Sequence, residues 1–178
     1  MKKLLSVLIA LSVMLIPLAV SANLGMSMSE FMAAYNKKPA PLGSPYKLLS
    51  TPDYTEPVAG YPTISFIADD NQSVVICLTT FDGNQVDSSS KIDAVTVIDF
   101  NNINIPCFLS VADRTLSVFL DEHLTLKQSS KCILEAMRDY YELNLSGDDQ
   151  SDIELFLSAH LHFYTGDDYI AFIIKEDK

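Results

Sequence analysis

Positive charge is scarce in this sequence. Its 178 residues carry 12 lysines and arginines against 23 aspartates and glutamates, a formal net charge of -11 at pH 7, and Arg114 and Arg138 are the only two arginines. A protein that binds nucleic acid needs a basic surface that displaces counterions from the phosphates. The composition therefore excludes DNA and RNA as partners.

The sequence also lacks the short motifs of the common enzyme classes. It contains no Gly-x-Ser-x-Gly elbow, no His-Glu-x-x-His, no Cys-x-x-Cys, no phosphate-cradling loop and no dinucleotide fingerprint, and it has only six glycines. Catalytic groups can assemble from distant positions, so these absences lower the expectation of catalysis without excluding it. The sequence favours a non-enzymatic protein, and it predicts no cofactor and no catalytic residue.

The first 22 residues have the three parts of a secretory signal peptide. Lys2 and Lys3 form a positive start, residues 4–18 are almost wholly apolar, and Val20-Ser21-Ala22 places small or medium residues where a signal peptidase inspects the chain. The apolar run is shorter than the about 20 residues of a membrane anchor. We therefore expect cleavage after Ala22 and a periplasmic or secreted mature chain, 23–178, without a membrane span.

Removal of the signal peptide makes the protein still more acidic. Loss of Lys2 and Lys3 changes the formal net charge from -11 to -13. This charge favours encounter with a basic protein, although a well-solvated surface is the preferred explanation. Turn preference and solvation account for three acidic clusters in predicted turns, namely Asp69-Asp70, Asp148-Asp149 with Asp152, and Asp167-Asp168.

A helix and a proline-rich segment open the mature chain. Ser27 and Glu30 form a capping box, and apolar residues at helical spacing predict a helix over 28–36. The helix has to end before Pro39. Six of the eight prolines lie in residues 39–62, which predicts an ordered wrap over the surface, with an interdomain linker as the alternative.

Alternating strand patterns and helical patterns follow the proline-rich segment. The predicted strands are 63–68, 73–80, 92–100, 153–164 and 169–175. Residues 108–119 fit a helix or a strand, and residues 126–141 fit a helix that buries Leu126, Ser130, Ile133, Leu134, Met137 and Tyr141. Together these patterns predict a single α+β domain over 23–178, with an N-terminal helix, an antiparallel sheet of about five strands and helices packed on one face.

Two predicted strands carry polar side chains on one of their faces. In 92–100 the alternation places Asp93 and Asp99 on the solvated side. In 153–164 it places His160 and His162 on one face, where neutral imidazoles can share a zinc or copper ion if His123 or a carboxylate completes the set. The alternative is that both histidines are ordinary residues of a solvated sheet face, continued by Tyr164.

Three cysteines allow at most one internal disulfide in an oxidising compartment. Cys77 lies in an apolar strand pattern and is predicted to be a buried thiol. Cys107 and Cys132 both lie near predicted helix starts, and we expect them to pair. If the compartment is not strongly oxidising, all three are buried thiols. A nucleophilic role for Cys107 or Cys132 is less favoured than a disulfide or burial.

The opening of the mature chain, Leu24-Gly25-Met26-Ser27-Met28-Ser29-Glu30-Phe31, resembles a known superfamily. It is similar to the start of small exported proteins related to the β-lactamase inhibitor protein and to the small lipoprotein of the outer-membrane assembly machine, although no cysteine is present here for lipid attachment. Those proteins begin Gly-Met-Ser/Thr, two residues, then Glu or Gln and an apolar residue. The resemblance implies a non-enzymatic protein that binds another protein.

Three functional hypotheses follow from the sequence. The first is an acidic exported protein, inhibitor-like or immunity-like, that binds an envelope or secreted protein. The second is a small metal-dependent enzyme or metal-binding protein that uses the face carrying His160 and His162. The third is a structural or assembly factor of the cell envelope.

Overall fold

An antiparallel sheet of six strands forms the centre of the structure. This computed structural model describes residues 24–38, 47–55, 57, 60–81, 86–101, 104–122, 128–144, 152–156 and 159–176. The elements in chain order are α1 (Met28–Lys37), β1 (Thr63–Ile67), β2 (Val74–Thr79), β3 (Ala94–Phe100), α2 (Ile105–Glu122), α3 (Ser129–Asn144), β4 (Ile153–Phe156), β5 (Ala159–Gly166) and β6 (Tyr169–Glu176).

The α+β class predicted from the sequence is confirmed, with six strands in place of five. The strand order is β1-β2-β3-β6-β5-β4, so the last strand of the chain lies in the middle of the sheet. The extra strand arises because residues 153–164, predicted as one long strand, contain β4 and most of β5. These two strands pair antiparallel, with Glu154 opposite His160. Apolar residues keep alternating between them, and no turn-forming residue such as Gly, Pro, Asn or Asp marks the break.

The first helix begins as its sequence predicts. The N–H of Ser27 donates to Oε2 of Glu30 at 2.7 Å, and the N–H of Glu30 donates to Oγ of Ser27 at 3.3 Å. This reciprocal capping box satisfies two amides that have no partner inside the helix. Helix α1 then runs from Met28 to Lys37, and Lys38 is already extended before Pro39.

The ambiguous segment 108–119 is helical. Asn104 precedes α2, and its Oδ1 accepts the N–H of Cys107 at 3.3 Å. Its carbonyl accepts the N–H of Phe108 at 2.9 Å. Pro106 lies in the first turn, where its missing N–H costs nothing. The N-terminal cap therefore decides in favour of a helix.

The three helices of the described residues pack on one face of the sheet, as predicted, and we call this the helix face. Phe108 of α2 stacks on Phe172 of β6 at a centroid distance of 5.2 Å, and Tyr140 of α3 meets Phe163 of β5 at 5.1 Å. Helix α1 reaches this core through Phe31, whose ring lies 5.4 Å from that of Phe119. The aromatic side chains hold the helices to the central strands.

The opposite face of the sheet is also buried. A row of Ser65, Cys77, Thr96, Ile173 and His162 crosses β1, β2, β3, β6 and β5 in register, and we call the face that carries this row the second face. The prediction of a half-solvated strand at 92–100 is therefore wrong. Strand β3 is buried on both faces because it lies inside the sheet and both faces are covered. The side chains of Asp93 and Asp99 are buried with it.

Part of the proline-rich segment lies beside the edge strand β1. The N–H of Lys47 donates to the carbonyl of Ala68 at 2.7 Å, and Tyr54 and Ser65 form an antiparallel bridge. Residues 39–46, 56 and 58–59 of this segment, like the expected signal peptide 1–22, lie outside the described residues.

Candidate functional site

The histidines predicted as metal ligands lie on β5, on the second face. The ring centroids of His160 and His162 are 6.3 Å apart, and Tyr164 continues the row 6.1 Å beyond His162. His160 and His162 share one face of the sheet, as predicted, but this face is not exposed to solvent as a solvated sheet face would be. His162 is only 1% exposed, and Nδ1 of the partly exposed His160 bonds to Oδ1 of Asp152.

The described part of the chain contains no cluster of three or more His, Cys, Asp or Glu side chains able to hold a metal ion. His123, the third histidine considered as a ligand, lies outside the described residues. Metal binding by His160 and His162 stays a prediction. Metal analysis of the purified protein tests it, because replacing both histidines by alanine abolishes uptake only if they are the ligands.

The three cysteines are all buried. Burial raises the pKa of Cys77 to about 11. Burial, followed by the charges of Asp69 and Asp99, raises the pKa of Cys107 to about 11 as well. The raised pKa disfavours the thiolate form of both residues at neutral pH, despite the position of Cys107 in the first turn of α2.

The expected bond between Cys107 and Cys132 stays a prediction. Thiol titration of the exported protein, unfolded without reductant, tests it directly. A bond leaves one reactive thiol, that of Cys77, whereas three reactive thiols exclude it.

Asp69 is a buried structural residue, which corrects its assignment to a solvated turn. Its Oδ1 accepts the N–H groups of Ser73 at 2.9 Å and Val74 at 3.0 Å. Its Oδ2 accepts the Ser73 hydroxyl and, at 3.2 Å, the side-chain amide of Asn104. Burial alone would raise the pKa of Asp69, but these donated hydrogen bonds outweigh it and lower the pKa. The carboxylate thus joins the β1–β2 turn to the start of α2.

Only part of the stripe predicted for helix α3 is buried. Ile133 is buried and Met137 packs against the core, as predicted, whereas Ser130 is exposed and Leu126 lies outside the described residues. The buried residues of α3 are Cys132, Ile133, Ala136 and Tyr140. Leu134 and Tyr141, expected in the core, are 67% and 58% exposed. Two apolar stripes overlap in this sequence, offset by one residue and so by about 100° around the helix. The contact between the rings of Tyr140 and Phe163 places the stripe that contains Tyr140 in the core.

The exposed side of α3 combines apolar and charged side chains. We define the α3 surface as Lys131, Leu134, Arg138 and Tyr141. Asp139, at 3.0 Å, and Glu142, at 3.8 Å, lie beside the Arg138 guanidinium, and the hydrogen bond and charge of Asp139 raise the pKa of Arg138. Lys131 lies 3.7 Å from Glu135 in the same way. The charges are therefore held beside two exposed apolar side chains, an arrangement typical of a protein-binding patch.

Sequence reasoning missed both the α3 surface and the Asp69 network. The offset of the two stripes was present in the sequence, because Tyr140 and Tyr141 compete for the same position in the core. The Asp69 network had a weaker signal, since Ser73 follows Asp69 closely but Asn104 is 35 residues away.

Comparisons with known proteins give no match for this chain. No protein-family model matches it, and neither a curated protein nor a solved structure does so. The resemblance of the Gly25-Met26-Ser27 opening to a superfamily of exported inhibitors and lipoproteins accordingly stays a prediction.

Within the described ranges, no helix combines the length and the apolar character required to cross a membrane.

Proposed function

We propose that this is an exported, non-enzymatic protein that binds another protein of the cell envelope or the surrounding medium through the α3 surface. The observation that carries the proposal is the exposure of Leu134 and Tyr141 on one side of a helix whose opposite side is anchored in the core. The leader-like start and the lack of enzyme motifs support export and a binding role.

The two apolar side chains are placed to act together. Leu134 and Tyr141 are seven residues apart, which is two helical turns or about 10.5 Å, so they point the same way. Arg138 lies between them, one turn from each. Tyrosine and arginine are enriched among residues that dominate binding energy, and burial of a leucine contributes roughly 1.5–3 kcal/mol. The patch is small, but it contains the residue types of a binding centre.

Charge indicates which kind of partner fits. Three carboxylates, those of Glu135, Asp139 and Glu142, surround the two cations of the α3 surface. The expected mature chain carries a net charge of -13 once Lys2 and Lys3 are removed. A partner with an apolar pocket and a basic rim would be attracted at long range and complemented at contact.

The test uses the exported protein immobilised as bait for envelope and secreted extracts of its source, eluted with a salt gradient. The double variant Leu134→Ser, Tyr141→Ser should lose the captured protein. The control is Leu48→Ser, which removes a leucine that is 63% exposed outside the α3 surface and should leave capture unchanged.

Three results support the proposal together. One basic protein binds stoichiometrically, elutes as salt rises and is lost only with the α3 variant. Capture that survives the α3 double variant, or that ignores salt, would contradict it.

A further inference from the structure

The two edges of the sheet differ in how the rest of the chain uses them. On the outer side of β1, the N–H of Ser65 donates to the carbonyl of Tyr54 at 2.9 Å, and the N–H of Ile67 donates to Oδ2 of Asp53 at 2.7 Å. Strand β4 lies at the other end of the strand order, and in the described part of the chain it pairs with β5 alone. Within these ranges, β1 is the closed edge and β4 the open one.

An edge strand has backbone groups that can bond to a further strand. The N–H and C=O groups of alternate residues point to opposite sides of a strand in an antiparallel sheet, so those of every second residue of β4 point away from β5. The side chains show that this edge reaches solvent, because Glu154 is exposed and the side chain of Asp152 is 51% exposed. An extended segment can satisfy the outward groups by adding a strand.

The side chains along β4 alternate between two environments. Leu155 is part of the main core, and Ile153 packs against that core on the helix face. Glu154 lies opposite His160, and Asp152 bonds to the same histidine, so both carboxylates lie on the side of the second face. A strand added at this edge would place every second residue beside the carboxylates and the others beside Ile153.

We propose that the outer edge of β4 binds an extended segment of another protein in which lysine or arginine alternates with apolar residues. The basic side chains pair with Asp152 and Glu154, the apolar side chains extend the core beside Ile153, and the backbone adds a seventh strand to the sheet. The site is separate from the α3 surface, and the proposal does not depend on the proposed function.

Charge at this edge selects a basic segment over a second copy of the chain. In an antiparallel pair of two β4 strands centred on Glu154, this residue lies opposite its own copy, and a shift by two residues sets it opposite Asp152. Like charges directly opposite each other destabilise a strand pair, whereas opposite charges stabilise it. The pairing is also short, because the register shifts between Glu154 and Phe156. Side-chain charge therefore contributes much of the discrimination between segments.

Binding of a synthetic peptide tests the proposal. The probe is a short fluorescent peptide in which lysine alternates with valine, titrated with the exported protein at about 0.15 M salt, where charges far from the site are largely screened. Binding should slow hydrogen exchange of the β4 amides, which mass spectrometry measures in fragments that contain residues 152–156. Absence of binding, or protection confined to other segments, would overturn the proposal.

Two isomers of the probe separate strand addition from simple charge attraction. One is N-methylated at the valines and the other at the same number of lysines, so both have the same charge. Only one of these two sets of amides can point to β4 in an added strand. One isomer should therefore bind about tenfold more weakly than the unmethylated probe, and the other should bind within about threefold of it. Equal affinities of the two isomers would contradict the proposal.

Charge reversal at the edge gives a matched measurement on the protein. Glu154→Lys should weaken binding of the probe by about fivefold or more. Asp70→Lys makes the same change of charge at the β1–β2 turn, where the Asp70 side chain is 87% exposed, and should change the affinity by less than about twofold. Equal losses would mean that overall charge attracts the probe, which would refute a site at β4.

Hydrogen exchange without the probe tests a second copy as the occupant. The protection of residues 152–156 should not depend on the concentration of the protein. Protection that rises with concentration would identify a second copy at this edge and would overturn the proposal. Because the N-methylated isomers are measured on the unaltered protein, they decide the question even if Glu154→Lys impairs folding.

Discussion

At the scale of single residues, Ser27 and Asp69 have similar structural roles, but only the role of Ser27 could be predicted from the sequence. Each accepts backbone N–H groups where a helix or strand begins. The Ser27 capping box could be predicted, because both partners lie within four residues. The Asp69 network could not, because Asn104 reaches it only after the sheet and α2 have come together.

Replacement of the helix cap should destabilise the fold modestly. Ser27→Ala removes the acceptor for the Glu30 amide and should lower the free energy of unfolding by about 1 kcal/mol. Urea unfolding followed by circular dichroism measures the change. Ser130→Ala, at an exposed position of α3, serves as the matched control and should change stability by less than about 0.5 kcal/mol. Equal effects of the two substitutions would argue against the capping role.

The buried carboxylate of Asp69 should make stability depend on pH in the acid range. Its pKa in the folded protein lies below the ordinary value of 3.8. The stabilisation it provides is therefore complete above the unfolded pKa and is lost as pH falls through the lower, folded pKa. At pH 7, Asp69→Asn should cost about 2 kcal/mol, since buried backbone donors lose an ionised acceptor.

The pH profile separates this role from a general effect of charge. The difference in unfolding free energy between the wild type and Asp69→Asn should shrink as the pH is lowered below about 4. The neighbouring Asp70, whose exposed carboxylate forms an ion pair with Lys47 at 3.2 Å, provides the control. An Asp70→Asn variant with the same cost and the same profile would rule out a specific role for Asp69.

At the scale of elements, the sequence pattern predicted whether a segment is a helix or a strand more easily than which residues face the core or where the element ends. The stripe of α3 has a helical period in the sequence, but the core takes Tyr140 and leaves Tyr141 exposed. Likewise the alternation of 153–164 has the period of a strand, while the chain forms two paired strands there. In α3, a neighbouring element and not the local sequence decides which stripe faces the core. In 153–164, a neighbouring element likewise decides where the strand is interrupted.

Adjacent tyrosines on α3 should therefore differ sharply in their contribution to stability. Tyr140→Ala removes a buried ring that packs edge-on against Phe163 and should cost about 3–4 kcal/mol. Tyr141→Ala removes a mostly exposed ring and should cost less than about 1 kcal/mol. Chemical unfolding of both variants checks this, and a larger loss for Tyr141→Ala would mean that the predicted stripe, not the observed one, faces the core.

At the scale of the whole molecule, the sheet is a middle layer with both faces buried. Strand β3 shows this most directly, since Val97 contributes to the main core and Ile98 to the cluster on the second face. The charged side chains around Arg138 lie on the exposed side of α3, away from the sheet. Binding through α3 can then occur without disturbing either buried face.

Substitutions on opposite faces of β3 should have comparable costs in the full chain. Val97→Ala and Ile98→Ala each remove buried methyl groups and should each lower the free energy of unfolding by about 2–4 kcal/mol. A solvated second face would instead limit the cost of Ile98→Ala to below about 1 kcal/mol. Urea unfolding of the full chain distinguishes the two outcomes.

The sequence by itself determined the α+β class, the start of α1, the β1–β2 hairpin and the acidic character of the protein. These features depend on contacts between near neighbours or on composition, so no knowledge of distant segments is needed. Only the tertiary structure decided that β6 lies between β3 and β5, that His162 is buried, and that Leu134 and Tyr141 are exposed. A periodic pattern tells which residues share a face, but what covers that face depends on segments that meet only when the chain folds.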